Sequence, residues 1–203
     1  MARRKKKQNG FRRFVLMSLA LIAILGFALS QIGSSRPNHV TSQSVEQEDG
    51  QTREEFLQEI APIAQEMHQQ HGILASIILA QAALESDFGR SLLSAQYNNL
   101  FGMKSFGHPQ SVTLNTAEFL DGVWLTYDGE FRVYDNWRQS IEDHARLMLN
   151  GTTWDPNLYA GVVNANNYVE AAQALQAAGY ATDPAYAEKL IEMVRVYNLT
   201  RFD

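Results

Sequence analysis

The sequence predicts a mainly helical domain with one small antiparallel sheet set into it, behind a single apolar segment long enough to cross a membrane. Three observations carry that prediction. Apolar residues recur at helical spacing from Phe56 onward and again in four later segments. Runs rich in β-branched and aromatic residues surround two Asp-Gly pairs, Asp121-Gly122 and Asp128-Gly129, which are strong hairpin signals. Residues 14–33 contain no charge at all and come directly after a dense basic cluster.

That cluster comprises Arg3, Arg4, Lys5, Lys6, Lys7, Arg12 and Arg13, with no acid among residues 1–13. The next 20 residues, FVLMSLALIAILGFALSQIG, would span roughly 30 Å as a helix, the thickness of a bilayer core. Positive charge before the span keeps residues 1–13 in the cytoplasm and places the chain beyond residue 33 outside. The same run can be read as a cleaved signal peptide, since Ala28-Leu29-Ser30 offers small residues for cleavage. The run is long for that role, so residues 14–33 are read as an uncleaved transmembrane anchor. Either way the folded part is exported, and an exported chain without Cys fits a bacterial surface. Residues 34–51 are rich in Ser, Gln and acids and read as a flexible stalk, leaving residues 52–203 as the folded domain.

Within that domain, Thr52-Arg53-Glu54-Glu55 is a capping-box sequence ahead of Phe56, Ile60, Ile63 and Met67, and His71-Gly72 ends the helix. A second helix is expected over Ile73–Phe88, stopped by Gly89. An Asn- and Gly-rich loop runs from Tyr97 to Pro109. Strands are expected at Val112–Leu120, Val123–Tyr127 and Phe131–Tyr134, with turns at the two Asp-Gly pairs. Three more helices fit Trp137–Leu149, Tyr168–Ala178 and Pro184–Asn198, the last with Pro in its first turn.

Composition narrows the function. Of 203 residues 45% are hydrophobic, enough for a real core. Of 17 basic residues seven lie in residues 1–13, leaving ten against 22 acids in the rest, which argues against nucleic acid as a partner. The absence of Cys excludes thiol nucleophiles, disulfide scaffolds and Cys-ligated metal centres. His68 and His71 are helix-spaced but have no third ligand at suitable spacing, so no metal and no cofactor are expected.

One carboxylate stands out. In Ile73–Leu84 ten of twelve residues are apolar, interrupted only by Ser76 and Gln81, so this helix belongs in the centre of the domain. Glu85 comes next, on the same stripe as Leu74 and Ile78. A carboxyl group there is desolvated, which raises its pKa and keeps it protonated near neutral pH. Such a group suits general-acid chemistry, as protonation of a glycosidic oxygen requires. The pattern alone leaves open a Glu that emerges at the helix end and meets solvent.

The surrounding motifs are Ala82-Ala83-Leu84-Glu85-Ser86-Asp87-Phe88-Gly89, Asn98-Asn99-Leu100-Phe101-Gly102-Met103-Lys104, Phe131-Arg132-Val133-Tyr134-Asp135 before Trp137, and Gly179-Tyr180-Ala181-Thr182-Asp183-Pro184-Ala185-Tyr186-Ala187. In this order and spacing the series resembles glycoside hydrolase family 73, the peptidoglycan N-acetylglucosaminidases of autolysins and flagellar-type proteins, over roughly Phe56 to Asn198. The resemblance implies a lysozyme-like helical fold with a small β-lobe, and peptidoglycan glycan strands as the partner. It implies Glu85 as the catalytic acid and Glu118, in Thr116-Ala117-Glu118, as the second carboxylate of the β-lobe. Glu130 competes for that second role, and Asp121 and Asp128 read as turn residues. Tyr186 matches a tyrosine close to the family's acid, with a core aromatic as its alternative reading and Tyr180 as the weaker candidate. Asn98, Asn99, Phe101 and Lys104 match a loop that lines or shapes the sugar cleft, with a structural role open for Asn98 and Lys104. Tyr134 and Trp137 are candidates for stacking surface, core packing being the safer reading for Trp137.

The implied activity is hydrolysis of the β-1,4 bond between N-acetylglucosamine and N-acetylmuramic acid by an endo-β-N-acetylglucosaminidase, a monomer fixed to the bacterial membrane and facing the wall. Whether Glu118 activates water or the substrate's own acetamido group attacks is left open. The competing readings are a lytic transglycosylase or muramidase of the same superfamily, and a catalytically silent wall-binding module.

Overall fold

The computed structural model describes residues 42–120 and 123–203, with side chains over 53–116 and 126–203. The expected anchor, residues 14–33, and the first part of the stalk lie outside the described residues. Among the described residues, no helix is long and apolar enough to cross a membrane.

Helix α1 (Ser42–His71) begins ten residues before the predicted start, within the polar stretch read as a stalk, and Phe56 is the first buried residue among its described side chains. Helix α2 (Ala75–Ser86) is the central element, with eleven of its twelve residues buried. Around it pack α1, α6 (Tyr168–Ala177), α7 (Tyr186–Val196) and a terminal 3-10 turn, Leu199–Phe202. The near-total burial arises from a segment apolar on every side, which no single face could satisfy.

α2 stops two residues sooner than predicted. Asp87, Phe88 and Gly89 all take positive φ, at 51°, 54° and 78°. The Ser86 hydroxyl holds the corner, donating to the Ala82 carbonyl and accepting from the Gly89 amide. A Cβ at Gly89 would come within 2.9 Å of the Phe56 ring and 3.0 Å of Trp137, so both the turn and the packing require glycine there. Glu85 is thereby fixed in the last turn of α2.

Two short helices escaped the sequence reading. These are α3 (Leu92–Tyr97), capped by the Ser91 hydroxyl, and α5 (Ala160–Val163). Each is too short to show a hydrophobic period. Helix α4 (Trp137–Asn150) falls where predicted and is capped by Asn136, as α6 is by Asn167.

The sheet has two strands, not three. β1 (Ser111–Leu120) pairs antiparallel with β2 (Val123–Arg132) in unbroken register from Ser111↔Arg132 to Leu120↔Val123. The connection falls at residues 121–122, outside the described residues. The expected turn at Asp128-Gly129 is corrected: Asp128 and Gly129 are ladder residues opposite Asn115 and Leu114. Gly129 is there for close packing. A Cβ on it would meet Lys104 Nζ at 3.0 Å, Thr116 Cγ2 at 3.1 Å and the Phe131 ring at 3.2 Å.

Candidate active site

The site is built where the end of α2 meets the start of α7. Asp183 and Pro184 make the turn into α7, with the Asp183 side chain accepting from the Ala185 amide and its carbonyl from the Tyr186 amide. Tyr186 is therefore the first residue of α7, which begins two residues after the predicted start at Pro184. Its side chain is fully buried and points at α2.

There the Tyr186 hydroxyl donates to Glu85 Oε1 at 2.7 Å, while its oxygen accepts from Gln81 Nε2 at 3.0 Å. Glu85 is 6% exposed, and its second oxygen, Oε2, is buried with no hydrogen-bond partner among the described residues. Burial dominates its electrostatics and pushes its pKa up from 4.5 to about 8. The Tyr186 hydrogen bond and the Lys189 ammonium oppose the rise without cancelling it. At neutral pH this is a protonated acid with one oxygen held by a phenol and the other unengaged.

Behind it lies a column of buried rings. Tyr180 stacks on Tyr186 with centroids 5.8 Å apart, His144 meets Tyr180 edge-on at 5.9 Å, and Phe101 stacks on His144 at 4.0 Å. His144 is wholly buried with neither ring nitrogen hydrogen-bonded, and burial pushes its pKa down to about 3, so it is neutral. Tyr180 and Phe101 are equally buried. They back the acid and present no surface to a sugar.

The loop residues hold the loop. Asn99 spends its amide internally: Nδ2 donates to the Met103 and Arg132 carbonyls, and Oδ1 accepts from the Met103 amide. Asn98 ends α3 with φ at 55° and donates to the Tyr134 carbonyl. The Tyr134 hydroxyl donates to Asp143 at 2.7 Å, and Asp143 also pairs with Arg132. Lys104 lies over the Phe131 ring at 4.2 Å and donates to the Tyr127 hydroxyl. Trp137 packs edge-on against Phe56 at 5.3 Å, in keeping with core packing.

The expected second carboxylate, Glu118, is placed by strand register alone. Glu118 lies opposite Leu125, and its side chain falls outside the described residues. Alternation along the strands puts position 118 on the sheet face shared by the buried Thr116, Gly129 and Phe131 and the exposed Tyr127. Glu130, opposite Thr113, belongs to the other face with the exposed Asn115 and Asp128.

The sequence reading thus brought Glu85, Tyr186 and Tyr180 to one place, and assigned to a cleft several side chains that are consumed in bracing. It passed over two residues. Gln81 was visible as a polar interruption one turn before Glu85, and His144 as a lone imidazole on the apolar stripe of Ile141, Ala145 and Met148.

The family model described as mannosyl-glycoprotein endo-beta-N-acetylglucosaminidase matches residues 61–199, spanning both the acid and its tyrosine. The chain belongs to this glucosaminidase family, glycoside hydrolase family 73, and is an enzyme of that class. It is 38% identical over 205 residues to the exo-glucosaminidase LytG of Bacillus subtilis, covering 100% of this chain and 70% of that protein. A probable N-acetylmuramidase of Lactococcus lactis is 40% identical over 153 residues, covering 74% of this chain but only 35% of its own length. Among solved structures, the catalytic domain of the autolysin Auto from Listeria monocytogenes superposes with a TM-score of 0.68 at 35% identity, over 83% of this chain and 100% of that domain. The mainly helical, lysozyme-like fold with a small antiparallel sheet is shared with it.

Proposed function

We propose that this chain hydrolyses the β-1,4 bond between N-acetylglucosamine and N-acetylmuramic acid in bacterial peptidoglycan, with Glu85 as general acid. The observation that carries the reading is the protonated, buried Glu85 with Oε1 bound to Tyr186 and Oε2 without a partner among the described residues. A carboxyl group so held can deliver its proton to a leaving-group oxygen, and the buried surroundings favour its neutral form. Glu118 is the second carboxylate in this reading, activating water or assisting attack by the substrate's acetamido group. Register supports it over Glu130, because position 118 shares a sheet face with the buried Thr116, Gly129 and Phe131, whereas Asn115 and Asp128 on the face of Glu130 are exposed. Residues 14–33 hold the domain, as a monomer, at the outer face of the membrane against the wall.

The relatives carry both glucosaminidase and muramidase names, so the bond cut needs a direct test. Purified peptidoglycan digested with the full chain should yield muropeptides with reducing N-acetylglucosamine ends. Reducing muramic acid ends would show a muramidase, anhydro-muramic ends a transglycosylase, and no products a silent binding module. Release of single N-acetylglucosamine units from chain ends would show exo action instead of the proposed endo mode.

A further inference from the structure

Gln81 lies one turn before Glu85 on α2, fully buried among apolar neighbours. An amide in such a place is costly unless it is hydrogen-bonded. Its side chain has one partner, the Tyr186 hydroxyl, while its own Oε1 has none. The polarity of that bond matters. A phenol carries a single hydrogen. Because the Tyr186 oxygen accepts from Gln81, its hydrogen is directed along the remaining bond, to Glu85 Oε1. An oxygen already accepting the phenol proton is the poorer place for the acid's own proton, which is left to Oε2.

We propose that Gln81 is a positioning residue for the reaction: by donating to Tyr186 it commits the phenol proton to Glu85 Oε1 and so keeps the transferable proton on Oε2. The inference rests on Glu85 being the general acid. In the step it serves, the Oε2–H bond breaks as the proton passes to the glycosidic oxygen. The bond from that oxygen to the anomeric carbon breaks, its electron pair staying on the oxygen, while water or the substrate's acetamido oxygen supplies the pair that bonds to the anomeric carbon. The carboxylate left behind is held by the Tyr186 hydrogen bond. Without the Gln81 donor, the phenol can turn and accept a hydrogen bond from the protonated carboxyl. The acid then shares its proton with Tyr186 instead of keeping it on Oε2.

The ionisable groups that bear on Glu85 are Tyr186 and Lys189 of α7, with Tyr180 stacked behind Tyr186. Gln81 is neutral, so replacing it changes no charge in this set. The test is a double-mutant cycle on the full chain with purified peptidoglycan, comparing wild type, Gln81→Met, Tyr186→Phe, the double variant and Glu85→Gln. Gln81→Met should lower kcat by about tenfold, within the range of coupling between contacting residues, and move KM by less than about twofold. Its alkaline limb in the pH profile should move upward, because the protonated acid gains an acceptor and the carboxylate loses a committed donor. The double variant should be no worse than Tyr186→Phe alone. Additive losses, an unmoved alkaline limb or unimpaired Gln81→Met would each overturn the proposal. Should Gln81→Met unfold, Gln81→Asn, which keeps the amide but withdraws it by one methylene, is held to the same criteria. Near-normal turnover by Glu85→Gln would remove the general-acid reading and this inference together. A dead Glu85→Gln beside an unimpaired Gln81→Met would remove the inference alone.

Discussion

At the scale of the residue, the proposed chemistry turns on one displaced proton equilibrium. Burial raises the Glu85 pKa to about 8, against the partial opposition of Tyr186 and Lys189. Wall hydrolysis should therefore decline as pH rises through about 8, when the acid loses its proton. The same shift has a consequence for stability. Unfolded, the carboxyl titrates near 4.5, so between there and about 8 the folded state holds a proton that the unfolded state has released. Folding stability falls with rising pH across that window. Glu85→Gln cannot ionise, and its melting temperature relative to wild type should climb from about pH 4.5 to about pH 8, with the variant the more stable at the upper end. A difference independent of pH would contradict the buried, protonated acid. Glu85 was legible in the sequence because it continues an apolar stripe. Of the partners that set its state, Tyr186 was reached only through the family resemblance and Gln81 not at all, since the two are 105 positions apart in the chain and nothing local links them.

At the scale of the element, the helices that could be read were those with a full apolar period, and their ends moved wherever a tertiary contact intervened. α2 is the example at both ends. Its N-cap, Leu74, offers no side-chain hydrogen bond, and the Ser76 amide is met instead by Asp203 from the other end of the sequence, at 2.7 Å. No local pattern could have announced that cap. Asp203→Ala should cost about 1 kcal/mol, roughly 3 °C in melting temperature, while a loss below about 0.3 kcal/mol would show that Asp203 does not cap α2. The sheet gives the opposite lesson. Asp128-Gly129 has the local signature of a turn, but Gly129 is needed because Lys104, Thr116 and Phe131 crowd its α-carbon, a contact invisible until the strands are paired. Register then separates the two candidate carboxylates by face. Glu118→Gln should lose wall-hydrolytic activity by about a hundredfold or more, and Glu130→Gln by less than about threefold. The reverse order in initial rates would show that the wrong β-lobe carboxylate was chosen.

At the scale of the whole molecule, the fold class and the burial of Glu85 at the end of the core helix were legible, whereas the division of labour among the motif residues was not. Asn99, Phe101 and Tyr134 lie in motifs that look like a binding loop, yet their polar groups or rings are spent inside the domain. A motif records that residues are needed together, not which of them touches substrate. The proposed anchor at residues 14–33 predicts that surface protease releases the catalytic domain from intact protoplasts. A protected domain, or one found in the medium beginning at Gln31, would contradict the anchored topology. In the proposed mechanism all of this serves a single act, delivery of a proton from Glu85 to a glycosidic oxygen. The most direct measurement is the rate at which full-length Glu85→Gln releases reducing ends from purified peptidoglycan, normalised to its folded fraction. The account predicts a loss on the order of a thousandfold or more with the fold intact, the combined effect of a missing general acid and lost transition-state stabilisation. A well-folded variant turning over at near the wild-type rate would contradict it.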